Sequence, residues 1–251
     1  MRVLIHHAID WIYPPRCISC RNPLPLQDKP RRKLWLCSYC ENLFIPLETP
    51  GCSLCSVPVE AGVETCSSCY GKNFAFIHNR AGFEYDGLIR DLIRDIKFRR
   101  CKTIAQGLGQ LWARNIGMSI PREAILVPLP MHKKKRRRRG FDQARILAEA
   151  ISDATGLRLA NLLERTQNTP PQSGLHPRQR AENVSGAFRI NPKEKQSAKT
   201  IVLIDDIYTT GASLNECAKV LRSAGAATVY ALTLAIAVKP DDSQDDIQDN
   251  K

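Results

Sequence analysis

The chain has 251 residues, enough for one large or two modest domains with a sizeable buried core. Its 37 Lys and Arg against 25 Asp and Glu give a net charge of +12. No stretch is long and apolar enough to span a membrane, which excludes an integral helical membrane protein. Residues 240–251 hold five Asp and one Lys. A basic body therefore carries an acidic tail without aromatics, the pattern of a disordered terminus beside a surface suited to polyanions.

Residues 1–13 carry Val3, Leu4, Ile5, Ala8, Ile9 and Ile12, broken by His6, His7 and Asp10. This is too short and too polar for a signal-peptide core. It reads as a short amphipathic helix packed on its own protein, and the chain as cytoplasmic.

Ten cysteines in such a chain point to metal before disulfides. Eight form four Cys-x-x-Cys pairs: Cys17/Cys20, Cys37/Cys40, Cys52/Cys55 and Cys66/Cys69. Each pair can present two thiolates to one tetrahedral ion, and two pairs complete a Cys₄ set. The gaps between pairs are 16, 11 and 10 residues. These suit two sequential zinc ribbons, with the strand-like Leu34-Trp35-Leu36 leading into the second pair, and leave a cross-braced arrangement open. With no ligand position left for water, both Zn²⁺ sites read as structural. Cys101 and Cys217 stand apart, and Cys217 falls on the apolar face of a helix.

Near Asn73 the pattern changes to alternating strand and helix. Strands are predicted at 79–85, 124–127, 162–165, 186–190, 200–204 and 227–237, and helices at 86–98, 103–114 and 141–155, the last stopped by Gly156. Alternation of this kind predicts a parallel sheet flanked by helices, with ligands at the carboxyl ends of its strands. The divisions are a double zinc-ribbon region with its leading helix at 1–72, an α/β domain at 73–239 and the tail at 240–251.

Two strand ends stand out. The apolar run Thr200–Ile204 is closed by Asp205 and Asp206, followed by Thr209, Thr210, Gly211, Ala212 and Ser213 at the start of a helix. A helix N-terminus with hydroxyls and a glycine receives a phosphate, while paired carboxylates suit the vicinal hydroxyls of a ribose, with Mg²⁺ bridging to a pyrophosphate. Neither a Gly-x-Gly-x-x-Gly turn nor a Gly-Lys-Ser/Thr loop is present. The second strand end, Val127-Pro128-Leu129-Pro130, runs into Lys133, Lys134, Lys135, Arg136, Arg137, Arg138 and Arg139. Three readings of these seven cations compete: a solvated loop, a targeting tag, and a loop that tracks a nucleic-acid backbone by counterion release. The polar stretch Arg165–Asn183, with Arg178 and Arg180, is too long for a plain connection. It reads as a lid whose arginines close over a pyrophosphate, or as a mobile surface loop.

The Asp-Asp-Ile-Tyr-Thr-Thr-Gly-Ala-Ser string resembles the phosphoribosyl pyrophosphate (PRPP) motif of type I phosphoribosyltransferases. Together with the four cysteine pairs, Val-Pro-Leu-Pro, Arg-Arg-Gly-Phe-Asp-Gln-Ala and Thr-Pro-Pro-Gln-x-x-Leu, it makes nearly the whole chain similar to the ComF/GntX family, a double zinc ribbon fused to a type I phosphoribosyltransferase domain. Asp142 stands where that family commonly has Asn, and Ser213 where Thr is common. The resemblance implies that Asp205 and Asp206 hold the ribose hydroxyls of Mg²⁺·PRPP and that Thr209–Ser213 hold its 5-phosphate. Val127–Pro130 would form the pyrophosphate loop, and the segment from Arg165 a hood. No general base for an incoming nucleophile is identifiable. The family is associated with the handling of transforming DNA in bacteria. The expectation is a PRPP-binding protein of the competence machinery that contacts single-stranded DNA through its basic segment and zinc ribbons, and meets other competence proteins. The alternative is an active phosphoribosyltransferase with an unidentified acceptor; a zinc-ribbon adaptor with an inert domain is the weakest of the three.

Overall fold

The structure, a computed structural model, describes residues 16–24, 36–47, 51–115, 120–169, 177–194 and 199–237. The expected N-terminal helix, the Leu34-Trp35 strand and the acidic tail lie outside these residues. The central sheet has the order β1 (Asn79–Glu84), β7 (Thr228–Ile236), β6 (Thr200–Tyr208), β2 (Ile125–Pro128) and β3 (Arg158–Leu159). Every pairing in it is parallel, as the alternating strand and helix pattern predicts. Leu126, Val127 and residues 201–204 are fully buried, because helices cover both faces of a parallel sheet.

One face carries α2 (Gly87–Phe98), α3 (Lys102–Asn115) and α5 (Gln143–Thr155), which bury Ile93, Leu108, Leu147 and Ile151 against Val202, Ile204 and Leu232. The other carries α7 (Ala212–Ser223), whose Leu214, Cys217, Ala218 and Leu221 pack on Ile201 and Leu203. Cys217 is thus the small core residue its helical spacing predicts. A two-stranded antiparallel pair, β4 (Leu163–Arg165) and β5 (Phe188–Ile190), lies on the α7 side.

Three expectations are corrected. Strand β6 does not stop before the acidic pair but runs on to Tyr208, because β7 continues beside it and pairs Asp205 with Thr233 and Tyr208 with Ile236. The basic run is no loop: Lys133–Arg139 form the helix α4. Lys and Arg are good helix formers, His132 Nδ1 accepts from Lys134 N at 3.3 Å, and Gly140 closes the helix at a left-handed φ of 91°. The long polar stretch after Arg165 also contains a helix, α6 (Pro177–Val184), with proline at its first position, where no N–H is needed. The short strand β3 was missed altogether, since two residues carry no periodicity.

The cysteines form two knuckle pairs in sequential order. Cys17 N donates to Asn22 O and Arg21 N to Cys17 O; Cys52 N donates to Val57 O and Ser56 N to Cys52 O. Arg21 and Ser56 take the same left-handed turn, with φ of 65° and 70°, so Cys-x-x-Cys-x-x-Pro at 17–23 and 52–58 is an internal repeat. The short helix α1 (Ser38–Glu41) carries Cys40, and Cys37 caps it. The two ribbons join the rest differently. The first packs Cys17, Leu24 and Cys40 near Leu88 of α2. The second places Cys52, Cys55 and Cys69 in the same core as Val127, Leu203 and Tyr208. Asn79, at the start of β1, is stitched to it: its N–H donates to Leu54 O at 2.9 Å, its Nδ2 to Cys55 O at 3.1 Å, and Ser56 Oγ donates to Asn79 O at 2.6 Å.

Helices α3 and α5 meet at Gly109, where an added Cβ would lie 2.8 Å from Ala150 Cβ. Gly109→Ala gains about 1 kcal/mol of helix propensity but overpacks the contact at roughly 1–3 kcal/mol. A net loss of about 1 kcal/mol is expected in urea unfolding, recovered when Ala150→Gly is added. A variant more stable than wild type would show that the two helices are free to move apart.

Candidate functional site

The chain leaves β6 through α7 toward β7, and leaves β2 through α4 and α5 toward β3 on the opposite side. Neighbouring strands whose connections diverge open a crevice at their carboxyl ends, the place where ligands bind in such sheets. The β2–β6 ladder ends at Pro128 beside Ile204, with one more bond from Leu129 N to Ile204 O at 2.8 Å. Beyond it, among the described residues, the last residues of β6 pair with β7 alone. Asp205 and Asp206 sit at this edge, next to Pro128-Leu129-Pro130.

Asp206 is 8% exposed. Its Oδ2 meets Lys97 Nζ, from the last turn of α2, at 2.9 Å and accepts from Gln143 Nε2, the first residue of α5, at 2.8 Å. Gln143 Oε1 in turn accepts from Arg139 Nη1. Burial pushes the Asp206 carboxyl up, but the Lys97 ammonium, the Gln143 amide and the charge of Arg139 hold it below the usual carboxylate range. Asp205 is less well compensated: its Oδ1 accepts from Asp206 N at 2.8 Å, and burial together with the charge of Asp206 outweighs the Lys97 ammonium and pushes it well above the ordinary value. Two adjacent carboxylates therefore differ, one ionised and paired, one held toward its neutral form.

Past Tyr208 the chain turns through Thr209, exposed, and Thr210, half-buried. Gly211 takes a φ of 74° at the N-cap of α7 and supplies no side-chain cap; Ala212 N makes a long 3.4 Å bond to Thr210 Oγ1. The first turn of α7 thus begins at a residue with no side chain to cap it. Ala212 and Ser213 are half-buried within that first turn.

Helix α4 has two faces. Lys133, Lys134, Arg136, Arg137 and Arg138 are exposed, while Lys135 and Arg139, four residues apart, are half-buried and turned inward. Lys135 Nζ donates to Thr169 O at 3.0 Å. Burial and the charge of Arg165 push the Lys135 ammonium down. Arg165 donates to Thr169 Oγ1, stacks over the Phe188 ring at 5.2 Å and lies close enough to Asp205 to feel its charge. Its buried Nε has no acceptor among the described residues. Arg180 is half-buried on α6; the side chain of Arg178 and residues 170–176 lie outside the described residues. Asp142, in place of the expected Asn, caps α5: Oδ2 accepts from Met131 N at 3.2 Å and Oδ1 from Arg145 N at 3.4 Å, a task for which a carboxylate is suited.

Cys17, Cys20, Cys37 and Cys40 form one tetrad and Cys52, Cys55, Cys66 and Cys69 the other, each with its sulfurs within 4.8 Å of one another. None is in a disulfide. A tetrahedral ion with Zn–S bonds of about 2.3 Å sets S···S edges of about 3.8 Å. Cys20 and Cys37 sulfurs are 3.7 Å apart, and Cys55 and Cys66 sulfurs 3.8 Å. Backbone N–H groups point at the sulfurs, Cys40 N at Cys37 Sγ (3.4 Å) and Cys66 N at Cys52 Sγ (3.4 Å), as suits thiolates. The residues fit two zinc ions with four sulfurs each, paired in sequence order.

With this geometry in view, comparison with known proteins finds a double zinc ribbon domain over residues 8–70 and a phosphoribosyl transferase domain over residues 137–250. The DNA utilization protein YhgH of Escherichia coli O6:H1 is 30% identical over 225 residues, 86% of this chain and 94% of that protein. The chain belongs to the ComF/GntX family. Competence protein F of Haemophilus influenzae is 29% identical, covering 88% of this chain and 96% of its own; competence protein ComFC of Bacillus subtilis is 26% identical, covering 87% and 93%. No helix among the described residues is long and apolar enough to cross a membrane.

Sequence reasoning missed Lys97 and underused Gln143. Lys97 is one cation among many in a helix read for its apolar face. Gln143 stood in the Gly-Phe-Asp-Gln string without a role, and only the fold brings either to Asp206. Lys97→Met should cost about 2 kcal/mol, below the roughly 3–5 kcal/mol of a fully buried pair, because the Lys97 side chain keeps 23% exposure; Asp206 should titrate higher by carboxyl NMR. The Asp205 shift has a definite sign. The folded chain keeps this carboxyl protonated to higher pH than the unfolded chain, so wild-type stability falls as pH rises from the unfolded value of 3.8 through the raised folded one. Asp205→Asn cannot ionise, so its melting temperature should gain on wild type across that window and then level off. A difference that does not vary with pH would reject the assignment.

Proposed function

We propose that the crevice between β2 and β6 binds Mg²⁺·PRPP and that this chain serves DNA uptake, as a cytoplasmic protein of the competence machinery. The observation that carries the ligand is the joining of Asp205 and Asp206 at the open end of β6 to the glycine-capped start of α7. Asp205 and Asp206 take the ribose hydroxyls, with Mg²⁺ at hand when the pyrophosphate is bound, and Thr209, Thr210, Gly211, Ala212 and Ser213 take the 5-phosphate. Lys135, Arg139 and Arg165 turn into the same region; the buried Arg165 Nε without an acceptor and the depressed Lys135 both favour an anion between them. Val127 to Pro130 form the pyrophosphate side, with Arg178 and Arg180 on the hood. The tie to DNA is supported by the names of the relatives, two competence proteins and a DNA utilization protein, and by the exposed cations of α4. Sequence-independent contact with single-stranded DNA through Lys133, Lys134, Arg136, Arg137 and Arg138, aided by the zinc ribbons, fits that surface. The intact acidic pair favours a second reading, transfer of ribose 5-phosphate to an acceptor, with the surrounding cations stabilising the departing pyrophosphate.

Calorimetric titration of zinc-loaded protein with PRPP and Mg²⁺ should show binding that Asp206→Ala removes while both zinc ions are retained. Absence of binding by wild type would reject the ligand. For DNA, replacing Lys133, Lys134, Arg137 and Arg138 by Gln should lower the slope of log K against log salt by about 0.7 per contact, roughly 3 in all. An unchanged slope would remove α4 from the interface.

A further inference from the structure

Tyr208, the last residue of β6, is 4% exposed and connects two features so far described separately. Along β6 side chains alternate, Ile201 and Leu203 toward α7 and Val202 and Ile204 toward α2, α3 and α5. The alternation slips at the acidic pair: Asp206 meets Lys97 and Gln143 on the α2–α5 side, and Ile207 packs on that same side. Tyr208 is thereby sent to the opposite side, into the core that holds Cys52, Cys55, Cys69 and Leu214.

There the phenol packs in the same core as Cys69, a member of the second tetrad, close enough for hydroxyl and sulfur to interact. The same ring lies beneath the glycine of the phosphate loop. An added Cβ on Gly211 would stand 2.8 Å from the Tyr208 hydroxyl and 3.1 Å from the ring carbons Cε2 and Cζ. A second tie runs parallel, since Ala75 N, just beyond the ribbon, donates to Asn215 Oδ1 in the first turn of α7 at 2.7 Å. Among the described residues the first tetrad has no such link: its cysteines pack with Leu24 near Leu88 of α2.

We propose that Tyr208 is a strut through which the second zinc site orders the Thr209–Ser213 loop, so that metal retention in that tetrad and the anion-ready form of the loop are linked. The inference rests on the phosphate-site reading only for its consequence on ligand affinity. A zinc-bound thiolate is a charged, fixed acceptor, and hydrogen bonds to charged groups are the stronger kind. Emptying the tetrad releases Cys69 from its three companions and leaves the phenol with a mobile thiol, so the support under Gly211 is lost. Linkage is reciprocal: a loop held by phosphate also holds Cys69 in place and slows zinc loss. Tyr208 acts through the loop and is a positioning residue.

The test uses the full-length, zinc-loaded chain, with Tyr208→Phe, which keeps the ring under Gly211 and removes only the hydroxyl, and Cys20→Ser, which disables the first tetrad. Three readouts are taken: hydrogen exchange over residues 209–213, zinc release to a colorimetric chelator, and titration with PRPP and Mg²⁺. Outer-shell partners of metal ligands typically matter by about 10–100-fold. Tyr208→Phe should therefore release one zinc per chain about tenfold more readily, speed exchange in the loop and weaken Mg²⁺·PRPP by about tenfold. Cys20→Ser should lose the other zinc and leave loop exchange at the wild-type level. Wild-type exchange and zinc retention in Tyr208→Phe would overturn the strut, as would a loop disturbed equally by Cys20→Ser. Faster loop exchange and zinc release in Tyr208→Phe, beside a wild type that binds no PRPP, would uphold the strut and reject the ligand instead.

Discussion

Two adjacent carboxylates at the end of a buried strand are an electrostatic problem, and much of this molecule is arranged around its solution. Burial penalises both charges, and their proximity penalises the second. The fold answers asymmetrically. Asp206 receives an ammonium from α2 and an amide from α5, itself held by Arg139, whereas Asp205 receives a backbone N–H and its neighbour's charge. The pair therefore holds one ionised carboxylate beside a carboxyl pushed toward its neutral form. The crevice beside this pair exists because the connections after β2 and β6 diverge.

Helix α4 shows how one basic segment can serve two environments. Its position between β2 and α5 is dictated by the crossover, and its C-terminal residue Arg139 touches Gln143. Four residues earlier on the same face, Lys135 reaches Thr169. The remaining five cations face water. The inner pair is turned toward the crevice and the outer five toward solvent, two faces of about two turns of helix.

The ribbons divide in a comparable way. The two knuckles that repeat Cys-x-x-Cys-x-x-Pro have the same local geometry, but the second is stitched to β1 through Asn79 and shares the core beneath α7. Metal binding by each four-cysteine set supplies folding free energy of its own; what a ribbon supports depends on the surface it is pressed against.

The cysteine pairs, the apolar strand ending in two acids, the glycine before α7 and the α/β alternation were all legible in the sequence, because each is a local pattern of a few residues tied to local backbone geometry. The helix stop at Gly156 belongs to the same class. The basic run was misread as a loop because seven like charges argue for solvent, and solvent was taken to mean absence of structure; five of the seven do face water, from a helix. What only the tertiary structure decided are contacts between distant positions: sequential pairing of the knuckles, Gln143 with Asp206 across 63 residues, Ala75 with Asn215 across 140, and Tyr208 with Cys69 beneath Gly211. Periodicity says which side of its own element a residue occupies. It carries no information on which other element is packed there, and the chemistry of this site is made at those meetings.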